Sequence, residues 1–136
     1  MKNKIVFFLI ISSAFFIRIC NINWDQGLHL HPDERMLIMV ADRINFFKNL
    51  NPNFFNYGSL PIYLLKGIAQ FLGLGNYNDM LYLGRFLSII ADIITVFLVY
   101  KVCLLLFKNK RVALFSSFFY SVAFFPIQNS HFFVVD

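Results

Sequence analysis

The chain has 136 residues, of which 59% are hydrophobic and only 14% charged, and its mean hydropathy is +0.66. A soluble globular domain has about 45–50% apolar and about 25% charged residues. The composition therefore excludes an ordinary soluble domain and indicates an integral membrane protein. The net charge of +5 lies in short groups between apolar runs, which indicates topology signals and contact with anionic membrane lipids, and no nucleic-acid partner.

The first apolar run covers residues 5–22 and follows Lys2 and Lys4. A crossing needs about 17–25 residues, so this run is long enough to span a bilayer. A cleaved signal peptide would have a similar composition. However, the exit Arg18-Ile19-Cys20-Asn21 lacks the small residues of a cleavage site. We therefore predict a retained transmembrane helix over residues 5–22.

Two further strong apolar runs cover residues 81–107 and 112–128, and a basic loop at 108–111 separates them. Because basic clusters mark the inner membrane side, an even number of crossings must separate the N-terminus from this loop. The runs at 5–22 and 81–107 provide two, so the weaker run at 60–74 is interpreted as an interfacial helix on the outer face. The predicted fold is an all-α integral membrane protein with three transmembrane helices. The outer loop covers 23–80, the inner loop covers 108–111, and a second outer loop starts at 129–136.

The predicted outer loop contains the sequence His29-Leu30-His31-Pro32-Asp33-Glu34-Arg35. Pro32 suits the first position of a helix, and Asp33 and Glu34 then lie in its first turn, where the helix dipole favours negative charge. An amphipathic helix is indicated by apolar residues at helical spacing, namely Leu37, Val40, Ala41, Ile44 and Phe47. Acidic residues start many helices for capping alone. Near the lipid headgroups, however, such a carboxylate could also serve as a general base towards an attacking hydroxyl.

Three charged residues, Arg18, Arg85 and Asp92, lie inside apolar runs. Such residues are costly in lipid and are candidates for function. For Arg18 and Arg85 two interpretations remain open, namely extension of the side chain to the headgroups or binding of a phosphate. Asp92 is expected to face a neighbouring helix. Three histidines, His29, His31 and His131, are weak candidates for a divalent metal site, and polar loop histidines are the preferred explanation.

Several motifs, in the order in which they occur, resemble the type C glycosyltransferases, in particular the protein O-mannosyltransferase and aminoarabinose-transferase branch. They cover nearly the whole chain and comprise Arg18, Pro32-Asp33-Glu34, the stretch from Tyr57 to Leu64, Gly84-Arg85-Phe86-Leu87-Ser88, and Ser130-His131-Phe132 leading to Asp136. This sequence departs from the family at Ser59-Leu60, where the family has two prolines, and at Tyr57, where that branch has an acidic metal ligand.

The resemblance implies a polyprenyl- or dolichyl-phosphate sugar donor and an inverting transfer to a protein or lipid-glycan acceptor. Asp33 would be the base, and Glu34 and Asp136 would complete the catalytic group. The donor phosphate or substrate would be bound by Arg18, Arg35, Arg85, His131 and Tyr63. The cavity would face the periplasm or cell exterior from a multi-pass plasma membrane protein, or the lumen in an endoplasmic reticulum membrane. The resemblance does not imply a definite cofactor, and a divalent metal ion stays an open alternative.

Family members have many more crossings, so the chain is interpreted as the N-terminal part of such an enzyme and is expected to be inactive in isolation. A different class of function fits the same composition. In this alternative the chain is a small non-enzymatic membrane protein, such as a transporter subunit, a scaffold or an inactive remnant. For Asp136 the corresponding alternative is an ordinary polar residue at a helix end.

Overall fold

The structure, a computed structural model, describes residues 2–134. Within that range the chain forms six helices and no β-strand, which confirms the predicted all-α class. The helices are α1 (Lys2–Ile19), α2 (Pro32–Arg43), α3 (Leu60–Leu72), α4 (Tyr77–Phe107), α5 (Lys110–Ser121) and α6 (Phe124–Asn129).

Among the described helices, only α4 is both long and apolar enough to cross a membrane, so the prediction of three crossings is not confirmed as a whole. Its 31 residues cover about 46 Å at 1.5 Å per residue, more than the roughly 30 Å of a hydrocarbon core. Only 11% of its most apolar window is buried, whereas a core helix of a soluble protein would be mostly buried. The helix begins at Tyr77, before the predicted start at residue 81, and ends at Phe107 as predicted.

Helix α1 differs from the predicted span of residues 5–22 at both ends. It begins at Lys2 and ends at Ile19, so three charged residues, Lys2, Lys4 and Arg18, fall within its 18 residues. Because of these three charges, α1 is not among the described helices that are apolar enough to cross a membrane, whereas α4 is. Its large side chains are nevertheless widely exposed, for example Phe8 at 68% and Phe16 at 67%.

The predicted continuous helix over residues 112–128 is interrupted in the structure. Helix α5 ends at Ser121, and the short α6 begins only after Ala123. Pro126 explains the break, because its ring would clash with the carbonyl group of Val122 four residues earlier, and it has no N–H to donate. The predicted third crossing is therefore two helical segments.

The chain divides into two compact units. Among the described residues, the first unit consists of residues 2–21 together with Ser88–His131, and the second consists of Ile22–Leu87 together with residues 132–134. The core of the first unit brings together α1, α4 and α5 through Ile10, Ala14 and Val96, which contact Ile93 and Leu114.

The core of the second unit is larger and is formed by α2, α3 and the first turns of α4. Its buried members are Leu37, Ile38, Val40, Ala41, Ile44, Ile62, Leu65, Ala69, Met80, Leu81 and Phe133. The amphipathic helix predicted from Pro32 is thus present as α2. Phe47 is an exception, because α2 ends at Arg43 and Phe47 lies beyond it with 90% of its side chain exposed.

Helix α3 matches the predicted weak run and is fixed against α2 by a buried lysine. Lys66 is 7% exposed, and its ammonium group donates to the carbonyl oxygen of Asp42 at 3.3 Å. This carbonyl belongs to the last turn of α2, where the helix dipole favours a cation. Helix α3 ends at Leu72 and is capped by Gly73. This glycine has a left-handed backbone with φ 71° and donates its N–H to the carbonyl groups of Ala69 and Gln70.

Candidate active site

The centre of the second unit is a fully buried arginine bound by two carboxylates. Arg85 donates Nε to Glu34 Oε1 at 2.9 Å and Nη2 to Glu34 Oε2 at 2.7 Å. It also donates Nη1 to Asp25 Oδ1 at 2.9 Å and Nη2 to Asp25 Oδ2 at 2.8 Å, and Nη1 reaches the carbonyl oxygen of Ile22 at 2.8 Å. The ring of Trp24 lies against the guanidinium group, with its centroid 5.3 Å from Cζ. We refer to Arg85, Asp25 and Glu34 as the buried cluster.

All five guanidinium hydrogens of Arg85 form hydrogen bonds, four to the carboxylates of Glu34 and Asp25 and one to the carbonyl oxygen of Ile22. Arg85 therefore has no hydrogen left to donate to a further group in this structure, and its side chain is fully buried. The arrangement favours a structural role, and the predicted binding of a donor phosphate by Arg85 stays a prediction. Planar bidentate pairing of this kind suits arginine in a buried site, because the guanidinium fork matches two carboxylates.

Glu34 is also committed to the buried cluster. It is fully buried, and its Oε1 accepts a second hydrogen bond, from the backbone N–H of Phe133 at 2.9 Å. Phe133 lies so close to Gly84 that a Cβ atom at that position would be 2.7 Å from its ring, so the glycine permits the approach. Both oxygens of Glu34 thus accept hydrogen bonds within the second unit, which is a structural role, and its catalytic role stays a prediction.

Asp25 is the member of the buried cluster that sequence reasoning missed. It stands in no motif, and the available signal was indirect, since an arginine in an apolar run requires a carboxylate partner. The backbone N–H groups of Gly27 and Leu30 also bond to its side chain, at 3.2 and 3.3 Å. Hydrogen bonds from Arg85 lower the pKa of Asp25 from its usual 3.8 to about 2.

Acid should therefore weaken the buried cluster in a defined pH window. Because folding lowers the pKa of Asp25, its contribution is complete above pH 3.8 and is lost as the pH falls through about 2. At 1.36 kcal/mol per pKa unit the loss amounts to about 2 kcal/mol. The measurement is denaturant unfolding across this window, followed by the fluorescence of Trp24, the single tryptophan of the chain.

The matched variants for this measurement are Asp25→Asn and Asp42→Asn. Asp25→Asn should lack this component of the pH dependence, whereas Asp42→Asn, which alters an exposed carboxylate on α2, should retain it. Equal pH dependence in the wild type and Asp25→Asn would contradict the assignment.

Asp33 differs sharply from its neighbour Glu34. It is half-buried, and within the described part of the chain it forms no hydrogen bond or ion pair. Successive residues of a helix project about 100° apart, so the buried cluster holds Glu34 while Asp33 faces a different direction. Of the predicted acidic pair, Asp33 is therefore the carboxylate available to a substrate.

The remaining predicted residues of the second unit have different environments. Arg35 is exposed at the start of α2, whereas Tyr63 is half-buried on α3 and donates its hydroxyl to the carbonyl oxygen of Leu50 at 3.0 Å. Asp136, the second predicted acid, lies outside the described residues.

Arg18 is fully buried in the first unit, where it pairs with Asp92. Its Nη1 donates to the carbonyl oxygens of Ala14 at 3.2 Å and Ser121 at 2.9 Å. Ser121 is the last residue of α5, so Arg18 satisfies a carbonyl group that the helix break leaves without an intrahelical partner. The burial of Arg18 within the unit does not support the alternative in which its side chain extends to the headgroups. Of the guanidinium nitrogens of Arg18, only the buried Nη2 has no hydrogen-bond partner among the described residues, so it is the atom left to bind a phosphate.

Asp92 faces neighbouring helices, as predicted. Its carboxylate binds Arg18 of α1 and accepts a hydrogen bond from the hydroxyl of Tyr120 on α5 at 2.6 Å. One carboxylate on α4 thus connects three helices of the first unit.

The predicted histidines of the second unit have separate roles. His29 is 5% exposed, its Nε2 lies 3.0 Å from Asn78 Oδ1, and its ring stacks on Tyr77 at 4.2 Å. His31 is the N-cap of α2 and accepts the backbone N–H of Glu34 through Nδ1 at 3.5 Å. Within residues 2–134 no group of three potential metal ligands is present, so the proposed histidine metal site has no support in this range.

His131, expected to bind substrate, is held by backbone carbonyl groups in the first unit. Its Nδ1 lies 2.8 Å from the oxygen of Ile127, and its Nε2 lies 2.9 Å from the oxygen of Cys20.

In the second unit the charges of Arg85, Asp25 and Glu34 pair with one another, whereas the carboxylate of Asp33 has no partner among the described residues. The buried cluster fixes the start of α2, and Asp33 is left as a carboxylate able to accept a proton or a hydrogen bond. Compared with known proteins, the chain matches no protein-family model, no curated protein and no solved structure.

Proposed function

We propose that this protein transfers a sugar from a polyprenyl- or dolichyl-phosphate carrier to a hydroxyl of a protein or lipid-glycan acceptor, with inversion at the sugar carbon. The observation that carries the proposal is the division of the acidic pair at the start of α2. Glu34 is bound by Arg85, whereas Asp33 has no partner among the described residues. A carboxylate held in place by a rigid neighbour and left unpaired suits a general base.

In the proposed reaction Asp33 accepts the proton of the acceptor hydroxyl as its oxygen attacks the anomeric carbon. The bond from that carbon to the phosphate oxygen breaks, and the carrier leaves as the lipid phosphate. A phosphate is a good leaving group, so a base of ordinary strength is sufficient. Asp33 lies in the first turn of α2, and an ionised carboxylate is the form that accepts the proton.

The proposed location is a membrane. Helix α4 supports this because it is long and apolar, and only 11% of its most apolar window is buried. Exposed apolar surface of this extent indicates contact with lipid. We propose that α1 and the α5–α6 segment also cross, and that α2 and α3 lie along the face opposite Lys2, Lys4 and the basic loop at 108–111. That face would be the periplasmic, external or lumenal one.

Cysteine labelling tests this topology in intact cells. In a background without Cys20 and Cys103, Lys48→Cys should react with a membrane-impermeant maleimide, and Lys110→Cys should react only after permeabilisation. Both positions are exposed in the structure, so access depends on the membrane side alone. The reverse labelling pattern would place α2 on the cytoplasmic side and overturn the proposal.

The transfer itself is tested with a radiolabelled sugar on a polyprenyl phosphate, using membranes from cells that express the complete reading frame. Inverted product from this donor and none from a nucleotide sugar is the expected result. Product from the nucleotide sugar alone would refute the proposed donor class.

A further inference from the structure

A second feature of the second unit is a cavity at the end of α2, formed with the loop that follows. Its volume is about 450 Å³, within the range of about 300–1,000 Å³ typical of small-molecule sites. Its lining includes the apolar side chains Met36, Met39 and Phe54 and the polar side chains Arg43, Asn49, Asn51 and Asn53. None of these residues belongs to the buried cluster or to the proposed transfer site.

The charge of the cavity comes from Arg43. This residue ends α2 and is exposed, and within the described residues its guanidinium group forms no hydrogen bond or ion pair. No acidic residue lines the cavity in that range. The cavity thus contains a cation with no compensating anion of the protein.

The asparagines add hydrogen-bond donors. The backbone N–H of Asn51 donates to Asn49 Oδ1 at 3.2 Å, and that of Asn53 donates to Asn51 Oδ1 at 3.0 Å. Because these turns occupy the side-chain oxygens of Asn49 and Asn51, their amide NH₂ groups remain as donors. The polar residues of the lining therefore supply a guanidinium group and amide donors.

We propose that this cavity binds a monosaccharide-sized anion, namely a sugar that carries a carboxylate or a phosphate. The anionic group pairs with Arg43 and the amide donors. The carbon skeleton contacts the apolar side chains Met36, Met39 and Phe54 of the lining. This binding site is separate from the proposed sugar-transfer site and does not depend on the proposed transfer.

The experiment measures binding to the purified protein by calorimetry, with glucuronate, glucose 6-phosphate, glucose and inorganic phosphate as probes. At least one of the two anionic sugars should bind with a Kd lower than that of glucose by about tenfold or more, since a charged hydrogen bond has that effect. The comparison of glucuronate with glucose 6-phosphate identifies which anionic group the site takes. Equal binding of glucose, or inorganic phosphate binding as tightly as the preferred anionic sugar, would overturn the proposal.

The sharpest variant is Asn51→Asp. The introduced carboxylate keeps an oxygen that accepts the N–H of Asn53, so the turn is retained, but it replaces the amide donor with a negative charge. Its Kd for the preferred anionic sugar should rise about tenfold or more. The matched control is Asn45→Asp, because Asn45 forms the same kind of turn with Phe47 and does not line the cavity.

A second pair of variants removes a positive charge and does not depend on the turns. Arg43→Gln should weaken binding of the anionic sugar by about tenfold or more, and Lys48→Gln, a nearby exposed cation outside the cavity, by no more than about twofold. If Asn45→Asp and Lys48→Gln weaken binding as much as the cavity variants do, the effect is one of net charge and the site is refuted. If the cavity variants bind like the wild type, the site is refuted as well.

Discussion

Arg85→Gln is expected to unfold the second unit or to lower its free energy of unfolding by about 3–5 kcal/mol, the usual cost of breaking a buried ion pair. The substitution leaves Asp25 and Glu34 buried without a cation, and both side chains are fully inaccessible to solvent. Such a loss is large against the total stability of about 5–15 kcal/mol of most domains. Denaturant unfolding followed by Trp24 fluorescence measures it, because the ring lies 5.3 Å from Arg85 Cζ.

The cause of this loss can be separated from a simple packing defect. The triple variant Arg85→Gln, Asp25→Asn, Glu34→Gln removes the two uncompensated charges and should recover much of the lost stability. Arg43→Gln alters an exposed arginine on α2 and should change stability by no more than about 0.5 kcal/mol.

The alternative role of Arg85 predicts a different result. If Arg85 bound the donor phosphate, Arg85→Gln would keep wild-type stability and raise the apparent KM for the donor. A stable Arg85→Gln protein would therefore exclude the structural assignment of the buried cluster.

Asp33→Asn is expected to reduce kcat of sugar transfer by about 10²–10⁴-fold, the usual contribution of a general base. The amide retains the size of the carboxylate and its position in the first turn of α2 but cannot accept the proton of the acceptor. Because Asp33 forms no hydrogen bond or ion pair within the described residues, its replacement should leave Trp24 fluorescence unchanged and lower the free energy of unfolding by no more than about 1 kcal/mol, the usual effect of the helix dipole. The measurement is initial-rate transfer from the polyprenyl-phosphate sugar.

Asp42→Asn is the matched control for Asp33→Asn. It removes the same charge from the same helix at an exposed position outside the proposed site, and transfer should stay within about twofold of the wild-type rate. Wild-type turnover by Asp33→Asn would rule out Asp33 as the base. Glu34→Gln should instead lower stability, since Glu34 accepts hydrogen bonds from Arg85 and from the backbone of Phe133.

Some local features were predictable because neighbouring residues determine them. Pro32 begins α2 as expected, since its fixed backbone angle and missing N–H suit the first turn of a helix. Helix α3 likewise begins at Leu60 beside Pro61. The end of α2 was harder to predict, because the apolar spacing continues to Phe47 while the helix stops at Arg43.

The third predicted crossing shows the limit of hydropathy. Residues 112–128 are apolar enough to be assigned to one span, but Pro126 interrupts the helical hydrogen bonds and gives α5 and α6. A hydropathy average measures side-chain polarity and does not register that proline lacks a backbone N–H.

The sequence by itself determined the all-helical class, the apolar surface, the acidic start of α2 and the presence of charges that need partners. Only the tertiary structure decided which charges pair, and hence which acid is left available. Arg85 binds residues 51 and 60 positions away, and Arg18 binds one 74 positions away. The physical reason is that a buried charge must be neutralised by a charge that is close in space, and local sequence spacing does not encode contacts between distant segments.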